Sequence, residues 1–548
     1  MRYHRDVSGY YVENFGCRAT QADGAALERQ FEELGVSRAS TPGQAAIVVL
    51  NTCTVTAAAD QDARAAIRRI QRQNPEARIV VTGCYAQRAP REVAALRGVT
   101  HVIGNSHKHQ LAEIVSATGD ESVLDFGWRS AGAPSKLDSG LRAWSASSAA
   151  NKGAQLEGAL APEGCAFIPV ANLSAPDVFQ KPEAESPIFV SDIFAHTELL
   201  AAPVFDAANE RTRPNLKVQD GCDNRCSFCV IPYVRGQSRS LETDRILREV
   251  NTLVSAGYRE VVLSGINLGR WGRDLRPQPS DLSQTLTSAV RGPRSDAAFQ
   301  KRGSGSRNPR FEDLIRAILA ETPIEKLRIS SVEPMDWSDD LISLVAGSPR
   351  IAKHAHVPMQ SASDAVLRRM HRKYRPWHYR EKIEKIHAAM PTAAIGADVM
   401  VGFPGETDTE FEATRRMIDE LPFTYLHVFT YSPRPGTPAA RMANQVPVHI
   451  ARERNRVLRE LAAEKKLAFM RSFIGKEIEA ITLRSTCGAG APSASSGQVP
   501  AHVSCAEEFT EALTDNYVKL HLKGRHEPNR WLRAQIDDVV DGALVGVA

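Results

Sequence analysis

Three closely spaced cysteines carry the clearest chemical signal in this sequence. Cys222, Cys226 and Cys229 have the spacing C-x3-C-x2-C in a loop that follows a predicted strand. Thiolates this close together repel one another unless a cation shares their charge, so the spacing predicts metal or iron-sulfur ligation. A structural zinc site would need a fourth Cys or His, and none lies nearby in the sequence. Three ligands on a four-iron cluster would leave one iron open to a substrate or cofactor.

A second set of cysteines is dispersed along the N-terminal part of the chain. Cys17, Cys53 and Cys84 each follow a predicted strand, and they are 36 and 31 residues apart, about one strand-helix-strand unit. The carboxyl ends of parallel strands meet at one edge of a sheet, where open α/β folds bind their ligands. We therefore expect these three thiols to converge, and we favour ligation over three unrelated buried cysteines.

Composition narrows the classes of protein. The chain has 548 residues, nine cysteines, 43% hydrophobic residues and a formal charge of +4, which predicts an ordinary globular protein of three or four domains. No apolar run approaches the ~18 residues of a membrane helix, and residues 1–10 lack the core of a secretory signal. We therefore predict a cytoplasmic protein without a membrane partner. Cytosolic thiols stay reduced, so a disulfide framework is the poorer interpretation of the nine cysteines.

The elements that would position the dispersed cysteines alternate between strand and helix over residues 1–120. This alternation is typical of a parallel α/β domain. The predicted strands are Tyr10–Phe15, Ile47–Leu50, Arg78–Val81 and Thr100–Ile103, and the predicted helices are Ala25–Leu34 and Asp60–Gln73.

A second alternating region, residues 211–472, contains the local cysteine trio. Its six strand-helix units favour a partial (β/α)6 barrel over a flat doubly wound sheet, and the loops after its strands would build the active site. The predicted strands are Leu216–Gln219, Glu260–Ser264, Leu327–Ser331, His354–Met359, Gly396–Val401 and Tyr425–Phe429, and the predicted helices include Asp244–Ala256, Phe311–Glu321, Asp364–Arg372 and Thr409–Glu420.

The remaining segments are a linker, a small barrel and two further low-complexity stretches. Residues 121–210 are rich in Ala, Ser, Pro and Gly and are interpreted as a linker with an irregular insertion. Residues 473–548 are predicted to form a small β-barrel, with strand-like runs at 477–484, 516–522 and 531–540. Insertions are predicted at 276–310 and 485–504. The stretches 276–310 and 451–476 each carry a net charge of +5, which suits a phosphate-binding surface or a solvated one. Three cysteines in the low-complexity stretches receive no role: Cys165, Cys487 and Cys505.

The C-x3-C-x2-C loop resembles the signature of radical S-adenosylmethionine (SAM) enzymes, whose fold is a partial (β/α)6 barrel. Together with the dispersed trio and a C-terminal TRAM-like barrel, it resembles the methylthiotransferases over nearly all of residues 8–120, 214–475 and 476–548. The branch that acts on N6-threonylcarbamoyladenosine beside the tRNA anticodon is the most similar. The motifs that carry this resemblance are QDGCDNRCSFCVIPYVRGQSRS, SGINLGRWG, SSVEP, HVPMQSASDAVLRRMHRKY, GADVMVGFPGET and VFTYSPRPGTPAARM.

The resemblance implies two 4Fe-4S clusters and SAM as cofactors. Cys222, Cys226 and Cys229 would hold the SAM-cleaving cluster, and Cys17, Cys53 and Cys84 would hold an auxiliary cluster that handles sulfur. A radical formed from SAM would remove hydrogen from C2 of the adenine, and a second SAM would methylate the delivered sulfur. The implied partners are a tRNA anticodon stem-loop, a one-electron reductant of the flavodoxin or ferredoxin type, and a sulfur donor.

Several other residues are candidate contacts. By resemblance, Phe228 would lie against SAM, while Gly265, Glu333 and Gln360 follow barrel strands and would contact SAM or substrate, or simply shape their loops. The remaining candidates are also ambiguous: Arg235 and Arg239 would meet a SAM carboxylate or RNA phosphate, or solvent, and His354 and His356 are read as packed and hydrogen-bonded rather than as metal ligands.

Two alternatives stay open at this point. The same chemistry could act on isopentenyladenosine in tRNA or on a ribosomal-protein aspartate. A different class of protein, a non-catalytic RNA-binding protein with structural metal, would also use clustered cysteines.

Overall fold

The structure is a computed structural model that describes residues 9–117, 186–196, 199, 212–275, 308–484 and 509–548. One compact unit contains the described residues from 9 to 112 and from 186 to 548, and residues 113–117 belong to a second unit. The following predictions lie outside the described residues: most of the linker at 121–210, most of the insertion at 276–310, the insertion at 485–504, and the roles of Cys165, Cys487 and Cys505.

A five-stranded parallel sheet with flanking helices forms the N-terminal part, so the predicted parallel α/β architecture is confirmed. Its strands are β1 (Tyr10–Asn14), β2 (Ile47–Thr52), β3 (Arg78–Gly83), β4 (Val99–Ile103) and β5 (Ile188–Phe189), and its helices are α1 (Arg18–Glu33), α2 (Ala57–Gln73), α3 (Cys84–Arg88), α4 (Pro90–Ala94) and α5 (Leu111–Ala117).

The central strand and the first helix show how this sequence specifies the sheet. Every residue of β2, IVVLNT, is buried, as expected for a parallel strand covered on both faces. Helix α1 begins at Arg18 and not at the predicted Ala25. The first turns of α1 contain weak helix formers, so the sequence pattern favours a later start. In the structure, the small residues Ala22 and Gly24 let the helix pack close to the sheet, and a Cβ at Gly24 would lie 2.0 Å from the Asn14 Oδ1 atom.

Six parallel strands form the second part, and the predicted partial (β/α)6 barrel is confirmed. They build two sheets that meet through a parallel bridge between Ser331 and His356. A short antiparallel strand, β7, was not predicted. The strands are β6 (Asn215–Asp220), β7 (Arg239–Ser240), β8 (Glu260–Gly265), β9 (Lys326–Ile329), β10 (His354–His356), β11 (Ala394–Val401) and β12 (Tyr425–Thr430).

The barrel helices pack their apolar faces on the outside of these strands. Three of them, over residues 231–235, 339–347 and 376–389, are not among the helices named from the sequence, and another ends at Arg369, short of the predicted Arg372. The helices are α6 (Ile231–Arg235), α7 (Thr243–Ser255), α8 (Phe311–Glu321), α9 (Asp339–Gly347), α10 (Asp364–Arg369), α11 (Pro376–Ala389), α12 (Asp408–Glu420) and α13 (Val448–Arg471).

Two predictions in this region need correction. Strand β10 ends at His356 and not at Met359, because Pro358 has no N–H to donate; the Met359 N–H still bonds to the Asp398 carbonyl at 3.1 Å. In α13, Arg454 is not part of a phosphate-binding surface. It is buried and pairs with Glu406 and Asp408.

A closed five-stranded barrel forms the C-terminal part, as predicted, with strand order β13-β14-β15-β17-β16. Two of its strands, β14 and β17, were not among the predicted runs. The strands are β13 (Glu477–Thr482), β14 (Phe509–Thr514), β15 (Lys519–Lys523), β16 (Trp531–Val540) and β17 (Ala543–Val547).

None of the helices in the described part of the chain has both the length and the apolar character that crossing a membrane requires.

Candidate metal centres

The loop after β6 presents the local cysteine trio. Gly221 has φ of +71°, and a Cβ there would lie 1.9 Å from the Gln237 carbonyl oxygen, so this turn requires glycine. The Cys222 N–H donates to the Gly236 carbonyl at 3.1 Å, and the Cys229 N–H donates to the Cys226 carbonyl at 3.1 Å. The backbone therefore fixes the three cysteines in one tight loop.

The sulfur atoms of this loop are partly buried and receive polar contacts. Burial raises the pKa of the Cys222 thiol, and it raises that of Cys229 to about 12, with the neighbouring Cys226 adding to both shifts. The Cys226 Sγ accepts a hydrogen bond from Arg372 Nη1 at 3.3 Å, and the Cys222 Sγ accepts one from Asn267 Nδ2 at 3.6 Å. These donors stabilise thiolates, which are the form that binds metal.

The second trio lies at the carboxyl edge of the N-terminal sheet, where the sequence places it. Cys17 precedes α1, Cys53 follows β2, and Cys84 follows β3 as the first residue of α3. Burial raises the pKa of the Cys53 thiol to about 12, with Cys84 and Cys17 adding through their charge. A Cβ at Gly16 would lie 3.0 Å from the Cys53 Sγ. The strand-end positions therefore do converge.

The spacing of the sulfurs bears on which metal group would fit. A single zinc ion with bonds of about 2.3 Å would draw its thiolates to roughly 4 Å from one another. Within the described ranges, the one group of three His, Cys, Asp or Glu ligand atoms that all lie within 4.8 Å of one another contains no cysteine. In neither trio, therefore, do the three sulfurs all lie within 4.8 Å of one another, and three thiols spaced in this way fit a larger cluster with an open position.

A buried ion cluster lies between the two trios. Arg235 is 2% exposed and donates to Asp220 at 3.0 Å and to Asp23 of α1 at 3.1 Å. Lys108 pairs with Asp23 at 3.1 Å, and Lys217 pairs with both aspartates. Burial would raise the pKa of Asp23, but the three cations outweigh it and lower that pKa to about 2. The cluster therefore joins α1 to the barrel by charge.

The role expected for Arg235, at an open site or in solvent, is wrong, and Arg239 has hydrogen-bond partners within the fold. Arg235 meets neither solvent nor an open site, because both of its carboxylate partners are buried with it. Arg239 is half-buried and donates to the backbone carbonyls of His196 and Arg235 at 2.8 and 2.9 Å. Both guanidiniums are used within the fold.

The structure links one predicted contact residue directly to the local trio. Glu333 pairs with Arg372, the same side chain that donates to the Cys226 Sγ. The other three candidates make separate contacts, and one of them, Phe228, lies within the cysteine loop itself. Phe228 packs edge-on against Phe403 with ring centroids 6.4 Å apart, Gly265 ends β8 against the Gln219 side chain, and Gln360 has φ of +64° and donates its N–H to the Asp398 carbonyl.

Sequence reasoning missed Arg372, Asn267 and Asp23. Arg372 lies in the run HRKY and Asn267 in SGIN. Both runs belong to motifs that carry the family resemblance, but the resemblance gives these two residues no role. Asp23 had no signal, because an acidic residue early in a helix usually faces water.

Two sequence families match the chain. Residues 9–104 match a family described as "Uncharacterized protein family UPF0004", and residues 216–418 match the radical SAM superfamily. The chain is 30% identical to the threonylcarbamoyladenosine tRNA methylthiotransferase MtaB of Bacillus subtilis (strain 168), over 93% of this chain and 90% of the relative. It is 31% identical to the protein of that name from Treponema pallidum (strain Nichols), over 86% and 91%.

Other similarities are weaker. The chain is 28% identical to a tRNA-2-methylthio-N(6)-dimethylallyladenosine synthase of Endomicrobium trichonymphae, over 82% of each chain. Among solved structures, the radical SAM methyltransferase TsrM from Kitasatospora setae has a TM-score of 0.45 and 14% identity, covering 79% of this chain and 74% of that one.

Proposed function

The chain belongs to the threonylcarbamoyladenosine tRNA methylthiotransferases of the radical SAM superfamily, and on that premise we propose the reaction and the residues that serve it. The protein is a transferase that converts N6-threonylcarbamoyladenosine next to the tRNA anticodon into its 2-methylthio derivative. Its cofactors are SAM and 4Fe-4S clusters. The observation that carries the assignment of residues is the pair of open cysteine trios on two adjoining sheets.

The cysteines divide by role in this proposal. Cys222, Cys226 and Cys229 hold the cluster that cleaves SAM, and the auxiliary cluster is held by Cys17, Cys53 and Cys84. When bound, the clusters and SAM supply the radical, the sulfur and the methyl group. The chain binds and orients them, excludes water, and keeps the thiols near charges that favour the thiolate form.

Arg372 connects the local cysteine trio to Glu333, one of the predicted contacts to SAM or substrate. Its guanidinium is buried, donates to the Cys226 Sγ and pairs with Glu333, and both of these partners are half-buried. A cation held at this position stabilises negative charge on the sulfur and fixes the Glu333 carboxylate at the carboxyl end of the barrel strands. We propose that Phe228, Gly265, Glu333 and Gln360 surround SAM.

The further partners and the location belong to the same proposal. The reaction needs a one-electron reductant of the flavodoxin or ferredoxin type, a sulfur donor and the anticodon stem-loop of tRNA, which places the enzyme in the cytoplasm. We divide the chain into an N-terminal domain (1–120), a linker with an insertion (121–210), the radical SAM barrel (211–472) and the TRAM-like barrel (473–548).

Anaerobic reconstitution of the full chain tests the assignment of the cysteines. Two cubane clusters predict about eight irons per chain. Cys222→Ala is expected to abolish reductive cleavage of SAM to 5′-deoxyadenosine. Cys17→Ala is expected to keep that cleavage and lose methylthiolation of a stem-loop RNA that contains N6-threonylcarbamoyladenosine.

The same assay separates the alternatives. A stable zinc protein without iron or SAM cleavage would contradict the proposal and favour an RNA-binding protein with structural metal. Full methylthiolation by Cys17→Ala would overturn the auxiliary site. If the protein converted a stem-loop with dimethylallyladenosine and not the one with N6-threonylcarbamoyladenosine, its substrate would be the one named for the dimethylallyladenosine synthases among its relatives.

A further inference from the structure

Two histidines and an aspartate form a polar group on strands β10, β11 and β12, and we call it the lumen triad: His356, Asp398 and His427. The Asp398 Oδ1 lies 3.3 Å from the His356 Nε2 and 3.3 Å from the His427 Nδ1. This is the group whose three ligand atoms lie within 4.8 Å of one another. Nothing in the sequence motifs or in the family matches assigns it a role.

The alternation of side chains places the triad inside the barrel. Residues of opposite parity on these strands, such as Ala355, Val399 and Val428, belong to the core under the outer helices. The triad faces the other way and continues a column of rings. His354 and Tyr425 pack on Tyr517 of the C-terminal barrel with centroids 5.0 and 6.4 Å from it, which closes the lower end of the column.

Above this floor, the column runs toward the open end of the barrel. His356 contacts Tyr425 and His427 at 6.0 and 5.5 Å between ring centroids, and His427 contacts Phe429 at 6.5 Å. His427 and Phe429 are about half exposed, whereas His354 and His356 are buried. The lumen is therefore closed at Tyr517 and accessible at the level of His427.

The triad is connected to the side of the barrel that carries the local cysteine trio. The His356 Nδ1 and the Ser331 Oγ are 2.7 Å apart, and the Val332 N–H donates to the His356 carbonyl. The next residue, Glu333, pairs with the Arg372 that contacts the Cys226 Sγ. An adenine base held between the local cysteine trio and the barrel lumen would approach the lumen triad from the open end of the barrel.

One ring nitrogen of the triad makes no hydrogen bond within the described residues. The His356 Nε2 is buried and faces Asp398 outside hydrogen-bond geometry, and it has no other partner among the described atoms. Burial would raise the pKa of Asp398, but the two imidazoles outweigh it and hold that pKa well below its ordinary value. A half-buried carboxylate and a buried ring nitrogen without a hydrogen bond cost free energy unless a ligand meets them.

We propose that the lumen triad binds the polar group on N6 of the target adenosine, with His427 as the contact residue and Asp398 as the residue that positions both imidazoles. The inference rests on the proposed function and names the part of the site that reads the substrate. In adenine, C2 and the C6 atom that carries N6 are different ring carbons on either side of N1, so a base with C2 at the radical centre directs its N6 group elsewhere. A threonylcarbamoyl group offers N–H and O–H donors to the carboxylate and oxygen acceptors to the imidazoles.

The same geometry explains a preference over apolar substituents. An isopentenyl group could pair with none of these atoms and would leave Asp398 and His356 desolvated. Sites built to hydrogen-bond a substrate group reject analogues without it by large factors. The triad therefore supports selection of a polar N6 group by the cost of leaving its own atoms unpaired.

The test compares binding of two stem-loop RNAs, one with N6-threonylcarbamoyladenosine and one with unmodified adenosine, to the reconstituted full chain by fluorescence anisotropy. We expect the wild type to prefer the modified RNA. His427→Ala and Asp398→Asn are expected to reduce that preference by about tenfold or more, with the affinity for unmodified RNA within about twofold. The exposed residue His449 provides the matched control, and His449→Ala is expected to keep the preference.

Three results would overturn the inference. The first is a full preference for the modified RNA in both triad variants. The second is an equal loss of affinity for both RNAs, which would assign the triad to general RNA binding. The third is one equivalent of divalent metal beyond the cluster iron, lost in Asp398→Asn, which would make the triad a metal site. If instead the wild type methylthiolated neither RNA, the proposed function itself would fail.

Discussion

The Arg18 guanidinium donates a 3.0 Å hydrogen bond to the Tyr517 hydroxyl, across 499 positions of sequence. Arg18 directly follows Cys17, and Tyr517 lies in the turn between β14 and β15. The guanidiniums of Arg213 and Arg328 also lie over the Tyr517 ring, at 5.8 and 5.3 Å from its centroid. All three parts of the chain therefore meet at the closed end of the barrel.

This contact predicts energetic coupling between the first helix and the C-terminal barrel. Tyr517→Phe removes a hydrogen bond to a charged donor and is expected to lower the free energy of unfolding by about 1.5–3 kcal/mol in urea. In a double-mutant cycle with Arg18→Met, the two losses should not add, because both remove the same bond. Simple additivity would show that the contact carries no stability.

The ion cluster around Asp23 predicts a larger effect. Asp23→Asn leaves three buried cations with one carboxylate fewer, and it is expected to lower the free energy of unfolding by about 3–5 kcal/mol. Glu33→Gln is the matched control on the same helix, since Glu33 pairs with Arg29 in solvent and its loss is expected to cost below ~0.5 kcal/mol. Equal unfolding midpoints for the two variants would contradict the role of the cluster.

Arg372 predicts a shift in redox potential. Its positive charge next to the Cys226 Sγ stabilises the reduced form of a cluster at the local trio, so Arg372→Met is expected to make the potential more negative. A redox titration followed by electron paramagnetic resonance measures the shift, at unchanged iron content. Arg368→Met, an exposed arginine on α10, should leave the potential unchanged. A shift of the same size in both variants would mean that the contact to Cys226 is irrelevant.

His101 predicts a dependence of stability on pH. Burial lowers the pKa of this imidazole to about 4, with Arg78 adding to the effect, whereas an unfolded histidine titrates near 6.5. Between these values the unfolded chain binds a proton that the native chain does not, so stability falls as pH drops from about 6.5 to 4 and is flat above it. His101→Gln should remove roughly 2–3 kcal/mol of this fall in denaturant titrations. An unchanged pH profile would show that His101 is not the titrating group.

Much of the fold and part of the site could be predicted because their signals are local or periodic. The C-x3-C-x2-C spacing lies within eight residues, and the dispersed cysteines each end a strand whose hydrophobic run is evident. The order of parallel strands then brings Cys17, Cys53 and Cys84 to one edge without further information.

The remainder depends on contacts that no local pattern encodes. Arg235 was expected at an open surface because isolated arginines usually are, and its partner Asp23 is 212 positions away. His427 and Asp398 face each other only because β11 and β12 pair in one register. Strands β14 and β17 are as long as β13 and β15, and the closure of the barrel, more than their own residue patterns, stabilises them.

The most direct test of the central claim is nucleoside mass spectrometry of tRNA from a strain that lacks this protein. The account predicts that 2-methylthio-N6-threonylcarbamoyladenosine disappears and N6-threonylcarbamoyladenosine accumulates. The wild-type chain should restore the methylthio group, and Cys222→Ala and Cys17→Ala should not. Persistence of that nucleoside in the deletion strain, or loss of the methylthio derivative of dimethylallyladenosine in its place, would contradict the account.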